Sequence, residues 1–127
     1  MVGLPNCLWT PANRGLVRGA PVFRADETEA KAAIYGYGCA LDMTRRDRQQ
    51  DGKDHRRPWD LGKDVENSAV MAPLTRASDW HPEGQRIHLE VNGETKQDAT
   101  LKDMVWTVAE IVSHLSRFYH LTPGDVI

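Results

Sequence analysis

Cysteine is scarce in this chain: Cys7 and Cys39 are its only two, too few and too isolated for a disulfide framework or a cysteine zinc site. Cys39 falls in an apolar run and reads as a small buried hydrophobe. Charge of one sign is also lacking. A formal net charge of -2 gives no overall pull toward nucleic acid or a membrane surface. No stretch is long and apolar enough to span a bilayer, and no basic segment followed by an apolar one opens the chain. These absences predict a cytoplasmic protein. The glycines form no GxGxxG or P-loop, no nucleophile elbow is present, and no internal repeat recurs. His55, His81, His88, His114 and His120 supply no i, i+4 pair for a helical zinc site. Acidic residues are missing from the whole span between Met1 and Phe23.

What is present suits one soluble domain. The 127 residues are 40% hydrophobic and 27% charged, an ordinary balance for a chain that buries a core. Met1 to Arg24 is an irregular lead with little periodicity. A helix follows near Asp26 to Ala33, with Asp26 as its cap. Ile34 to Leu41 reads as a buried strand, Thr44 to Gln50 as a short helix, and Gln50 to Pro58 as a polar loop. In that loop Asp51 and Asp54 interleave with Lys53, Arg56 and Arg57, which argues against a surface tracking phosphates. Ile87, Leu89 and Val91 alternate with polar residues up to Asn92-Gly93, the pair that favours a two-residue hairpin turn. Val105, Val108, Val112, Leu115 and Tyr119, widened by Met104, Ile111 and Phe118, form the apolar stripe of a helix from about Leu101 to Tyr119. Leu121 to Asp125 is a turn, and Val126-Ile127 reads as the start of a strand.

The most chemistry gathers between Tyr35 and Lys63. The strand delivers Asp42 to its mouth, where a carboxylate can stay partly solvated. Asp42 and Arg46 are four apart, as are Arg45 and Gln49, so acid, guanidinium and amide can meet near the strand end. Each residue has a plainer role as well. Asp42 or Thr44 could cap the following helix, Arg45, Arg46 and Arg48 could form a solvated face, and Lys63 could be a surface loop lysine.

The succession LDMTRRDRQ, RPWDLGKD, VNGETKQDA, MVWTVAEIVSHLSRF and LTPGDVI resembles the fumarylacetoacetate hydrolase family, nearest its fumarylpyruvate and acylpyruvate hydrolase branch. The likeness runs from about Asp26 to Ile127, and residues 1-25 stand outside it. It implies an α/β fold, the mixed β-roll of the family's C-terminal domain, in incomplete form. It also implies a metal-dependent hydrolase that cleaves a carbon–carbon bond in small 2,4-diketo acids, with Mg2+ or Mn2+ as cofactor. By the family's motifs Asp42 is the metal-binding aspartate, Arg46 and Gln49 meet substrate oxygens, and Lys63 stabilises charge developing on the substrate. A homodimer is implied, with no nucleic-acid or membrane partner.

The departures from the family pattern define a competing expectation. Its E-x-E pair of metal-binding glutamates would fall in PANRGLVRGAPVF, which contains no acid. Glu27-Thr28-Glu29 has the right letters, yet residues two apart on a helix point in nearly opposite directions. The family's lid histidine and glutamate, and its T-G-T-P-x-G-V-G stretch, find no match either. Metal binding is therefore expected to be weak. The alternative to a hydrolase is a fragment or degenerate relative that acts, if at all, by binding or oligomerisation.

Overall fold

A computed structural model of the chain describes residues 21–127. Helix α1 (Glu27–Ala33) begins where expected, because Asp26 and Glu29 satisfy each other's backbone amides in a capping box. Helix α4 (Val108–Ser116) starts from a second such box, between Thr107 and Glu110. It is shorter than its apolar stripe suggested. Leu101–Asp103 is a separate 3-10 turn, closed by Thr100 and Asp103, and the chain between it and α4 is extended enough to leave Val105 94% exposed. Asp103 therefore belongs to that turn, and Phe118 and Tyr119 lie exposed beyond the end of α4.

Helices α1 and α4 face each other across the core. Ala30, Ile34, Tyr37, Val108 and Val112 are buried together, with Ala77, Trp80, Leu121 and Ile127 packed against them. Polar contacts fix the pairing. Ser113 Oγ donates to the Ala25 carbonyl (2.8 Å), and the Ala25 amide donates to Ser116 Oγ (3.0 Å). Both serines are buried, and these bonds satisfy groups that would otherwise oppose burial. Val22 bridges Leu121 beside them. Ile127 packs on the core without forming a strand.

The expected strand from Ile34 to Leu41 is two short ones, β1 (Gly36–Tyr37) and β2 (Ala40–Asp42). Antiparallel to them run β3 (Ala69–Met71), paired with β2, and β4 (Thr75–Arg76), paired with β1. Tyr37 faces Thr75 and Ala40 faces Met71, so the returning segment holds one residue more between those pairs. Pro73 lies in that bulge, where a residue without an amide hydrogen interrupts the ladder least. The interruption leaves Cys39 exposed rather than buried. At Gly36 a Cβ would stand 2.4 Å from the Thr75 carbonyl oxygen, so only glycine permits this approach.

Strands β5 (Arg86–Val91) and β6 (Glu94–Thr100) form the expected hairpin. Asn92 and Gly93 both take positive φ, 54° and 79°, as a primed turn requires. Among the described residues, no helix is long and apolar enough to cross a membrane.

Candidate functional site

Strand β2 ends at Asp42, and the chain then descends into the protein. The Met43 amide donates to the Ser68 carbonyl (2.8 Å), and Thr44 is almost fully buried with its hydroxyl on the Asp42 carbonyl (3.3 Å). Neither Asp42 nor Thr44 caps the next helix. Arg45 occupies that position without a side-chain cap, and α2 runs over Arg46–Asp54, well into the expected loop. The extension is held by Gln50 Nε2 donating to Asp54 Oδ1 (2.7 Å), the i, i+4 contact of a helix surface. At its end the His55 ring meets the Asp51 carbonyl oxygen and carboxylate, which raise the pKa of the imidazole.

A short helix, α3 (Asp60–Lys63), comes back onto the start of α2. The Arg45 amide donates to the Gly62 carbonyl (2.8 Å). A Cβ on Gly62 would stand 3.0 Å from the Gln49 amide nitrogen and 3.2 Å from the Arg45 carbonyl oxygen. This is backbone packed on backbone, and it brings Lys63, expected in a loop, to Asp42. Lys63 Nζ donates to Asp42 Oδ2 in an ion pair whose side chains are 28% and 30% exposed. At the start of α2, Arg46 Nη1 donates to Gln49 Oε1 one turn on (2.8 Å), with Gln49 buried.

The four residues singled out by motif thus stand on three consecutive elements, as a salt-bridged pair and a hydrogen-bonded pair. Arg45 turns away to Asp47, Nε to Oδ1 at 2.9 Å, and this guanidinium holds the Asp47 carboxyl well below the usual carboxylate range. Two grooves of about 340 and 490 Å³, lined by Tyr37, Cys39 and Trp80 and by Leu41, Val70 and Leu89 among others, include neither Asp42 nor Lys63. The quartet forms a wall outside both of these grooves. Thr44 was expected only as a possible cap and Gly62 was given no role, although each fixes the wall. Their signals were a small hydroxyl residue just after the strand and a glycine just before the lysine.

Chemically, the wall offers a fixed ammonium, a guanidinium and an amide to an anionic ligand. A divalent ion fits it poorly. Hard cations of this kind want several oxygen ligands, and no cluster of three or more His, Cys, Asp or Glu exists among the described residues. Residues 1–20 contain no Asp, Glu or His that could enlarge the set.

Comparison with known proteins places these features. Residues 13–127 match the family model of the fumarylacetoacetate (FAA) hydrolase C-terminal domain. A fumarylpyruvate hydrolase of Ralstonia sp. is 46% identical over 112 residues, covering 88% of this chain and 58% of that protein. An oxaloacetate tautomerase of Escherichia coli (strain K12) is 35% identical over 111 residues, covering 86% of this chain and 51% of that protein. Among solved structures, fumarylpyruvate hydrolase from Pseudomonas aeruginosa in complex with Mn2+ and pyruvate superposes with a TM-score of 0.81 at 39% identity. That match covers 92% of this chain and 48% of the other. The chain spans about half the length of the relatives it matches. Its α/β architecture is the fold expected from the resemblance, in partial form. With so long a family match and so close a likeness of fold, the chain belongs to the fumarylacetoacetate hydrolase family.

Proposed function

We propose that the wall of Asp42, Arg46, Gln49 and Lys63 binds a small 2-oxo acid of the acylpyruvate type and favours its enolate, as part of a hydrolase acting on 2,4-diketo acids. The observation that carries this reading is the Lys63 ammonium held on Asp42 beside the Arg46–Gln49 pair. Hydrolysis of an acylpyruvate and tautomerisation of oxaloacetate share one demand. In the first, water adds to the distal carbonyl, the carbon–carbon bond breaks, and its electron pair becomes a pyruvate enolate that then takes a proton. In the second, a proton leaves the carbon between two carbonyls and the same kind of enolate forms. A preorganised cation at the developing negative oxygen lowers the barrier to both. Relatives bearing each of these two activities support the shared step. The pyruvate in the Pseudomonas aeruginosa structure supports the ligand class.

In this reading Arg46 holds the substrate carboxylate, its paired donors suiting two oxygens, and Gln49 orients Arg46. Lys63 carries the charge stabilisation and Asp42 fixes Lys63. A cytoplasmic location, expected from the sequence, and self-association, implied by the family resemblance, belong to the proposal. A second reading, a chain that binds such acids without turning them over, is favoured by the small donor set around Asp42.

Acylpyruvate enols absorb in the ultraviolet and lose that band on cleavage. For the hydrolase reading, the full chain should bleach an acylpyruvate, and Lys63→Ala should slow it by about a hundredfold, the scale of losing one charge-stabilising donor. A folded chain that binds pyruvate but bleaches nothing establishes the second reading instead.

A further inference from the structure

Asp42 has a cation on it already. Lys63 reaches it from α3, and the backbone contact of Gly62 with Arg45 and Gln49 holds α3 in place. A divalent ion approaching Asp42 would meet a positive charge at contact distance and, among the described residues, no cluster of three or more His, Cys, Asp or Glu to offset it. Several other acids are already engaged: Asp47 with Arg45, Asp51 with His55, Asp54 with Gln50, and Asp26 and Glu29 with each other's amides. Both members of the Asp42–Lys63 pair are mostly shielded from solvent, so water screens their attraction less than it would a fully exposed pair. The donor set and the existing ion pair thus point the same way.

We propose that in this chain the Lys63 ammonium stands in for a divalent cation at Asp42, so that Asp42, Lys63, Arg46 and Gln49 bind small 2-oxo acid anions without a metal. The inference rests on the oxo-acid reading above and adds a definite source for the positive charge. An ammonium can supply much of what the site needs: three donors and one unit of charge, placed before the ligand arrives. It cannot chelate two oxygens as tightly as a divalent ion. Binding should therefore be modest and independent of metal.

Two measurements on the full chain test this. The first is a nuclear magnetic resonance titration of the 15N-labelled chain with pyruvate, in EDTA and again with Mg2+. The dissociation constant should differ by less than about twofold between the two conditions if no metal takes part. The second is Mn2+ uptake followed by electron paramagnetic resonance. Wild type should bind no tighter than about millimolar, as a hard cation does at a site short of oxygen ligands. Lys63→Met, which frees Asp42, should bind Mn2+ several-fold more tightly and pyruvate about tenfold more weakly, and Lys63→Gln, which also removes the charge, should shift both in the same directions. Circular dichroism checks that both variants are folded. Pyruvate binding that appears only with Mg2+, or micromolar Mn2+ affinity in wild type, overturns the stand-in cation and leaves the oxo-acid reading standing. Absence of pyruvate binding under both conditions overturns the oxo-acid reading itself.

Discussion

The α1–α4 face and the α2–α3 wall are held together by different forces. Between α1 and α4 the buried positions are apolar side chains, Ala30, Ile34, Val108 and Val112, locked by Ser113 and Ser116. Across α2 and α3 they are Gln49, Gly52 and Gly62, with Thr44 beneath, while Trp59 and Leu61 lie exposed. Apolar burial is non-directional and sums with area. Close backbone contacts and hydrogen bonds, including the hydrogen-bonded ion pair, are directional and short in range. The first region therefore supplies most of the driving force for folding, and the second supplies position. A wall built this way can hold charges at fixed points without burying them completely.

That contrast can be broken by substitution. The largest loss of stability is expected from Val112→Ala, about 2–3 kcal/mol for removing buried methyl groups from a packed core. Urea unfolding measures it, and a loss under about 0.5 kcal/mol would show that the core is not where this packing puts it. Gly62→Ala should cost about 1–3 kcal/mol, because the added methyl meets backbone on two sides rather than a flexible side chain. Unlike Val112→Ala, it should also weaken pyruvate binding, by moving Lys63 off Asp42. If both variants lower binding equally after correction for unfolded chain, the two regions are not separate in the way described.

Smaller effects sharpen the picture. Asp26→Ala removes the N-terminal cap of α1 and should cost about 1 kcal/mol with no change in ligand affinity. The least effect is expected from His55→Gln at the solvent-exposed end of α2. The pKa of His55 is raised above its ordinary 6.5 by the Asp51 carbonyl and carboxylate. Its stabilising contribution is therefore complete below the unfolded value and is lost as pH rises through the folded one. Relative to wild type, the variant should be slightly less stable at about pH 5 and equal to it at about pH 9, well above the ordinary histidine range. A gap that instead widens with pH would mean that His55 is stabilised in its neutral form.

Local signals carried much of the fold. Asp26 with Glu29, and Asn92 with Gly93, specify a helix start and a turn through atoms only a few residues apart, and both were legible. The start of α4 carries a local signal of the same kind, Thr107 with Glu110, but the apolar run through Met104 and Val105 hid it and the helix was expected to begin near Leu101. The division of Ile34–Asp42 was not legible in that segment itself. Its cause lies across the ladder, in the extra residue and Pro73 of the returning strand. The exposure of Cys39 follows from the same break.

For the candidate site, the residue types and their order were in the sequence: an aspartate after an apolar run, an arginine and glutamine in a helical turn, and a lysine after glycine. Those types fix which charges are available, since charge and hydrogen-bonding capacity belong to the side chains themselves. Only the tertiary structure decided which charges meet. Asp42 and Lys63 lie 21 positions apart, and they touch because Gly62 lets one short helix rest directly on the backbone of another. Such contact depends on the distance between two backbones, which no local pattern of residues encodes.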